Sequence, residues 1–175
     1  MNKILLALLL LPLLPIGAQA AGESTISGGY AQSNIKNDNI GFNDNPKGFN
    51  LKYRYEMNDN VGFIGSFTYI TQDYDLYYSS SKVGKGTVDY YSLSGGPSFR
   101  FNKYISAYGL IGAAKGKFDS SIYGQSESQS KTSMMYGLGL QFNPIPNVAI
   151  DASYEYSKLD KVKANTFVVG VGYRF

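Results

Sequence analysis

Eight stretches of this sequence alternate apolar and polar residues with a period of two, and their apolar faces are free of charge except for Asp89 at the edge of one. Segment 48–57 is the cleanest: Phe49, Leu51, Tyr53, Tyr55 and Met57 stand against Asn50, Lys52, Arg54 and Glu56. Successive side chains of a strand point to opposite faces, so this period reads as strand and not as helix. The other segments are 24–32, 61–71, 88–101, 104–118, 132–142, 148–156 and 166–175. Their apolar faces gather Tyr and Phe, of which the chain has 16 and 10 with no Trp; the opposite faces hold Gly, Ser, Ala, Thr, Asn, Gln and charge. A soluble sandwich would bury the aromatic faces in a core, but eight strands cannot bury so many rings with so few large residues opposite them. Turned inside out, the pattern is satisfied.

The expected fold is therefore all-β: an eight-stranded antiparallel up-and-down transmembrane β-barrel, apolar toward lipid and polar toward the lumen. Closure removes the unpaired strand edges that lipid could not satisfy. Connections alternate in length. Short ones fall at 58–60, 102–103 and 143–147, and long ones at 33–47, 72–87, 119–131 and 157–164. Barrels of this type keep short turns in the periplasm and long loops outside, which puts both termini in the periplasm. Segment 104–118 has the least clear faces. Tyr104, Tyr108, Leu110 and Phe118 are taken as outward, in competition with Ile105, Ala107, Ile111 and Ala113. Pro97 falls in mid-strand and cannot donate a ladder hydrogen bond, so a bulge or broken ladder is expected over 95–98.

The amino terminus has a Lys3 n-region, an apolar run from Ile4 to Leu14 and a small-x-small site at Ala18-Gln-Ala20. These are the parts of a secretory signal peptide, 1–20, and the run is too short to span a bilayer as a helix. The expected mature domain is 21–175. No Cys and no His occur. The first excludes a disulfide framework. The second removes the usual general base, the commonest metal ligand and the Ser-His arrangements of hydrolases. No enzymatic activity and no cofactor are expected. A formal charge of +3 argues against bulk nucleic-acid binding.

Several segments are similar to one family. Gly28-Gly-Tyr-Ala-Gln-Ser33, Gly48-Phe-Asn-Leu-Lys-Tyr-Arg-Tyr-Glu56, Ile64-Gly-Ser-Phe-Thr-Tyr69, Gly137-Leu-Gly-Leu-Gln-Phe-Asn-Pro144, 147–157 and Gly170-Val-Gly-Tyr-Arg-Phe175 resemble the Ail/Lom/PagC/OmpX family of enterobacterial outer-membrane proteins. The resemblance covers strands and short turns and fades in the four long loops. It implies an integral, monomeric, non-enzymatic outer-membrane barrel, surrounded by outer-membrane lipid and lipopolysaccharide. It implies delivery by the outer-membrane assembly machinery, which reads the carboxyl-terminal strand with its Tyr173-Arg-Phe175 end. It also implies adhesion or host interaction through the external loops, with host surface or matrix proteins as partners, or support of envelope integrity. The alternative function is a narrow channel.

Three constellations are candidates for chemistry. Lys52, Arg54, Glu56, Arg100, Asp151, Glu155 and Arg174 all take lumen positions. The interior of an eight-stranded barrel is just wide enough for side chains to fill, so paired charges there read as a plug before they read as a pore. Asp151 and Glu155 lie about 13 Å apart along one strand face, too far for a glycosidase pair. The third group is Lys36, Lys47, Lys82, Lys85, Lys115, Lys117, Lys131, Lys158, Lys161 and Lys163, near the bases of the loops. These are candidate contacts for lipopolysaccharide phosphates, with ordinary solvated loops as the competing reading. Tyr77, Tyr78, Tyr90 and Tyr123 sit in or near loops, as adhesive contacts or as an upward extension of the aromatic girdle.

Overall fold

Lipid offers no hydrogen bonds, so every backbone group within it must pair along a strand edge. The computed structural model describes residues 23–37, 45–78, 81–122, 125–159 and 162–175. Residues 1–20, the expected signal peptide, lie outside them. The described residues form the expected eight strands: β1 (Ser24–Asn37), β2 (Lys47–Glu56), β3 (Val61–Tyr78), β4 (Ser81–Arg100), β5 (Ile105–Ile122), β6 (Gln125–Ile145), β7 (Val148–Leu159) and β8 (Val162–Arg174). All neighbours are antiparallel in chain order, and β8 closes the barrel on β1, from Thr25 opposite Arg174 to Asn37 opposite Val162.

One end holds the tight turns, the start of β1 and the carboxyl terminus. Asn58 Oδ1 accepts from the backbone N–H of Asn60 and Val61 at 3.1 and 2.8 Å. Asn102 Oδ1 accepts from Tyr104 and Ile105 at 2.8 and 2.9 Å. This is the turn chemistry of Asn, whose side chain bonds its own backbone two residues on. Ser24 and Phe175 exchange backbone hydrogen bonds at 2.8 Å beside these turns.

The outer surface is apolar. Leu51, Leu93, Leu138, Ile150 and Val171 point outward, with Leu138 as much as 72% exposed. Rings border this band on both sides. Phe49, Phe67, Tyr69 and Tyr91 form a run of tilted contacts with centroids 4.9–6.3 Å apart. Phe99, Phe101, Tyr173 and Phe175 mark the turn end. This is the lipid-facing belt of a membrane barrel.

The structure corrects the reading of β5. Tyr108 and Leu110 are buried in the lumen, at 4% and 5% exposure, whereas Ile105, Ile111 and Ala113 face out. Tyr104 is exposed in the turn before the strand, and the side chain of Phe118 lies outside the described residues. Register gives the reason. Tyr108 pairs with Gly139 and Leu110 with Gly137, and a Cβ at 139 would overlap the Tyr108 ring. Two glycines on β6 thus make room inside for two large residues on β5. Tyr90 is also turned inward, not set in a loop, and its hydroxyl lies 3.0 Å from Ser157 Oγ.

Pro97 interrupts one ladder as expected. The pairing of β4 with β5 skips Gly96 and Pro97, resuming in the same register at Ser98 opposite Tyr108. The pairing of β4 with β3 continues through both residues.

Four strands run further than their alternation indicates. β3 and β4 continue to Tyr78 and Ser81, and β5 and β6 continue to Ile122 and Gln125, so most of the stretches 72–87 and 119–131 is hairpin and not loop. The flanking strands stop earlier. β2 begins at Lys47 opposite Thr71, and the pairing of β6 with β7 begins at Met135 opposite Ser157. A four-stranded sheet therefore stands above the closed barrel. Among the described residues, its β3 edge over 72–78 and its β6 edge over 125–134 have no strand partner.

Candidate functional site

Polar residues collect in two places, the lumen and the tall end of the barrel. The lumen side chains come from the polar faces of the strands, and closure leaves them only one another as partners. Six of the seven lumen candidates are buried: Lys52, Arg54, Glu56, Arg100, Asp151 and Glu155. Arg174 is half-buried at the turn end.

They form two layers. In the first, Lys52 Nζ donates to Asp151 Oδ1 at 2.5 Å and Ser153 Oγ at 3.0 Å. Tyr108 Oη donates to the other Asp151 oxygen at 2.7 Å. Next to this, Glu155 is wholly buried and accepts from three hydroxyls, Thr68 at 3.0 Å, Ser92 at 3.2 Å and Ser66 at 3.4 Å. Asn50 Nδ2 donates to Ser66 Oγ and Thr68 Oγ1 at 2.9 Å each, orienting those hydroxyls. In the second layer, Arg100 grips Glu56 through Nε at 3.1 Å and through Nη2. Arg174 Nη2 reaches the same carboxylate at 3.2 Å and also pairs with Glu23 at the mouth. Arg54 Nη2 stands 3.5 Å from Glu56, and its Nε donates to Ser98 Oγ at 3.2 Å.

Each carboxylate is thus taken up by specific donors, the arrangement a buried charge needs. Asp151 and Glu155 serve separate clusters, with no nucleophile or general base aimed at a shared point. Among the described residues, no group of three His, Cys, Asp or Glu side chains could hold a metal ion. The hydroxyl and amide partners Asn50, Ser66, Thr68, Ser92, Ser153 and Tyr108 escaped the sequence reading, which singled out charges. All but Tyr108 sit on polar faces already assigned to the lumen.

At the tall end the lysines divide. Lys47, Lys115, Lys131 and Lys158 are exposed, and Lys117 and Lys163 are intermediate. Lys36, Lys82 and Lys85 lie in β1 and β4 with side chains outside the described residues, and Lys161 is itself outside them. Tyr77 and Tyr78 lie in β3, their side chains also outside, as is Tyr123 entirely. Register brings three lysines together: Lys36 on β1 is opposite Lys163 on β8, and Lys163 is also opposite Lys158 on β7. Lys158 and Lys163 hold outward positions. Like charges at neighbouring register positions cost stability.

A second group sits beyond the aromatic run on β3–β5. Tyr69 Oη donates to Asp89 at 3.1 Å, Thr87 to Asp73 at 2.8 Å, and Lys117 to Asp119 at 2.7 Å. The hydrogen bond from Lys117 holds the Asp119 carboxyl below its ordinary range, and the same bond holds the Lys117 ammonium above its own. Lys117 is therefore compensated locally.

Comparison with known proteins agrees with this geometry. A family model described as outer membrane protein beta-barrel domain matches residues 5–175. The attachment invasion locus protein of Yersinia enterocolitica is 58% identical over 100% of both chains. Outer membrane protein X of Escherichia coli K12 is 44% identical over 91% of this chain and 90% of its own. The crystal structure of Ail from Yersinia pestis, in complex with the heparin analogue sucrose octasulfate, superposes with a TM-score of 0.83 at 55% identity, covering 89% of this chain and 100% of that one. With a closed eight-stranded barrel, an apolar belt and these relatives, the chain belongs to the Ail and outer membrane protein X family of integral outer-membrane β-barrel proteins.

Proposed function

We propose that this protein is a non-enzymatic surface adhesin, secreted by way of a signal peptide cleaved after Ala20, which presents the sheet formed by the tops of β3–β6 to host molecules. The observation that carries the reading is the pair of sheet edges, 72–78 and 125–134, which have no strand partner among the described residues and are raised above the membrane belt. An edge offers a row of backbone donors and acceptors, and an extended segment of another protein can join it by strand addition. The Lys36–Lys163–Lys158 row supports a second contact on the same surface. Closely spaced ammonium groups suit phosphate or sulfate. They would bind lipopolysaccharide phosphates around the barrel and sulfated polysaccharide on a host surface; the Y. pestis relative was crystallised with a heparin analogue. Tyr173 on β8 and Phe175 just after it are the residues offered to the assembly machinery, and the barrel works as a monomer. The filled lumen gives the channel reading no support.

Trimming both hairpins, β3–β4 down to Thr71 and β5–β6 down to Lys131, tests the proposal. The expected outcome is unchanged outer-membrane assembly and heat-modifiable gel mobility, with loss of binding to cultured cells and matrix. A companion variant with Lys36, Lys158 and Lys163 changed to Ala should lose heparin and lipopolysaccharide retention only. Retained cell binding after trimming would move adhesion into the barrel and end this reading.

A further inference from the structure

A buried ion pair is tolerable when each charge is compensated, and the turn end of the lumen falls short of that. Arg54, Arg100 and Arg174 converge on one carboxylate, Glu56. Arg100 and Arg174 take its hydrogen bonds, leaving Arg54 at 3.5 Å. The Asp151 carboxylate is occupied by Lys52 and Tyr108. Glu23 assists Arg174 only from the mouth, with its side chain 56% exposed. The layer therefore holds more buried positive charge than negative.

Unpartnered donors mark where the excess lies. Arg54 is 1% exposed, yet its Nη1 and Nη2 hydrogen-bond to no described group. Thr25 Oγ1 and Arg174 Nε are in the same condition. These residues are neighbours: Thr25 is opposite Arg54 across β1 and β2, and opposite Arg174 across β1 and β8. All three point into the lumen in one row, with Cβ atoms of directly opposed residues roughly 4.5–5.5 Å apart. Arginine nitrogens donate only, and a hydroxyl can donate. A water molecule would satisfy some of these donors and leave the charge uncompensated. An ion that only accepts satisfies both.

We infer that the row Arg54–Thr25–Arg174 binds a small inorganic anion of halide size. The row is approached from the turn end, where Arg174 lines a cavity of about 860 Å³ together with Glu56 and Arg100; Arg54 and Thr25 are buried behind it and do not line it. The depth of Arg54 excludes polyanions, which separates this site from the external lysine row.

Crystals of the full folded protein grown with bromide as the only halide test the site directly. Anomalous diffraction should place bromine within hydrogen-bond reach of Arg54 and Arg174. In nanodiscs, the Arg54 side-chain nitrogen and proton resonances should shift saturably with sodium chloride when sodium gluconate holds ionic strength constant. Thr25→Val removes one donor at nearly constant shape and should weaken this response several-fold while leaving heat-modifiable mobility intact. Arg54→Met should abolish bromide density; if that variant does not fold, Thr25→Val carries the test alone. Density at the row without anomalous signal would identify water and overturn the proposal. So would a shift that tracks ionic strength alone or is unchanged in Thr25→Val. A bromide peak with no saturable response in nanodiscs would be an adventitious ion only, and would also overturn it.

Discussion

At Tyr108 one hydroxyl connects three strands. The ring lies over Gly139 of β6, and its oxygen donates to Asp151 of β7 at 2.7 Å. Asp151 takes its other hydrogen bond from Lys52, so among the described residues the second oxygen depends on Tyr108. Removing that hydroxyl leaves a buried carboxylate oxygen without a donor. Tyr108→Phe should destabilise the barrel by about 1–3 kcal/mol, read from denaturant unfolding in bilayers against the unaltered protein. No loss would mean that the Lys52 contact alone holds the carboxylate. Tyr108 also shows where single-residue reading failed. Its size and aromaticity suit the lipid face, and only the glycine opposite it in the folded register reveals the room inside.

Strand number, order and most faces were legible because lipid and lumen impose opposite demands on alternate residues. Leu51, Leu93, Leu138 and Val171 could be placed outside from that alternation alone, and the broken ladder at Gly96 and Pro97 follows from a missing N–H. The upper parts of β3–β6 were not legible. Above the membrane belt both faces of a strand meet water, the alternation fades, and a ladder such as Asp119 opposite Ser128 looks like loop. The lysine row was hidden for a related reason: its three members are far apart in sequence and meet only through register. The same difference between belt and sheet governs local stability. Backbone amides over 72–78 and 125–134 that face the open edges should exchange with solvent much faster than those of Phe49 to Tyr55, whose ladders are closed on both sides. Hydrogen exchange measured by NMR would check this, and equal protection would show that the edges are covered.

As a whole, the molecule joins a filled tube to an open sheet. Asn50, Arg54, Thr68, Asp151 and Glu155 are all at most 2% exposed within the tube. Planar-bilayer recordings should therefore show no steady current above that of protein-free lipid; a reproducible conductance would mean that the plug opens. The sheet carries a constraint of direction. An edge accepts a newcomer only along its own axis, and strands of such barrels tilt by about 35–45°. A segment zipped onto 72–78 would thus lie at a slant, its lower end halted where β2 begins beside Thr71. At about 3.3 Å per residue, that edge engages roughly 23 Å of extended chain. A captured molecule would need a free terminus or a bend at the lower end, and would be leashed obliquely to the cell instead of standing upright on it.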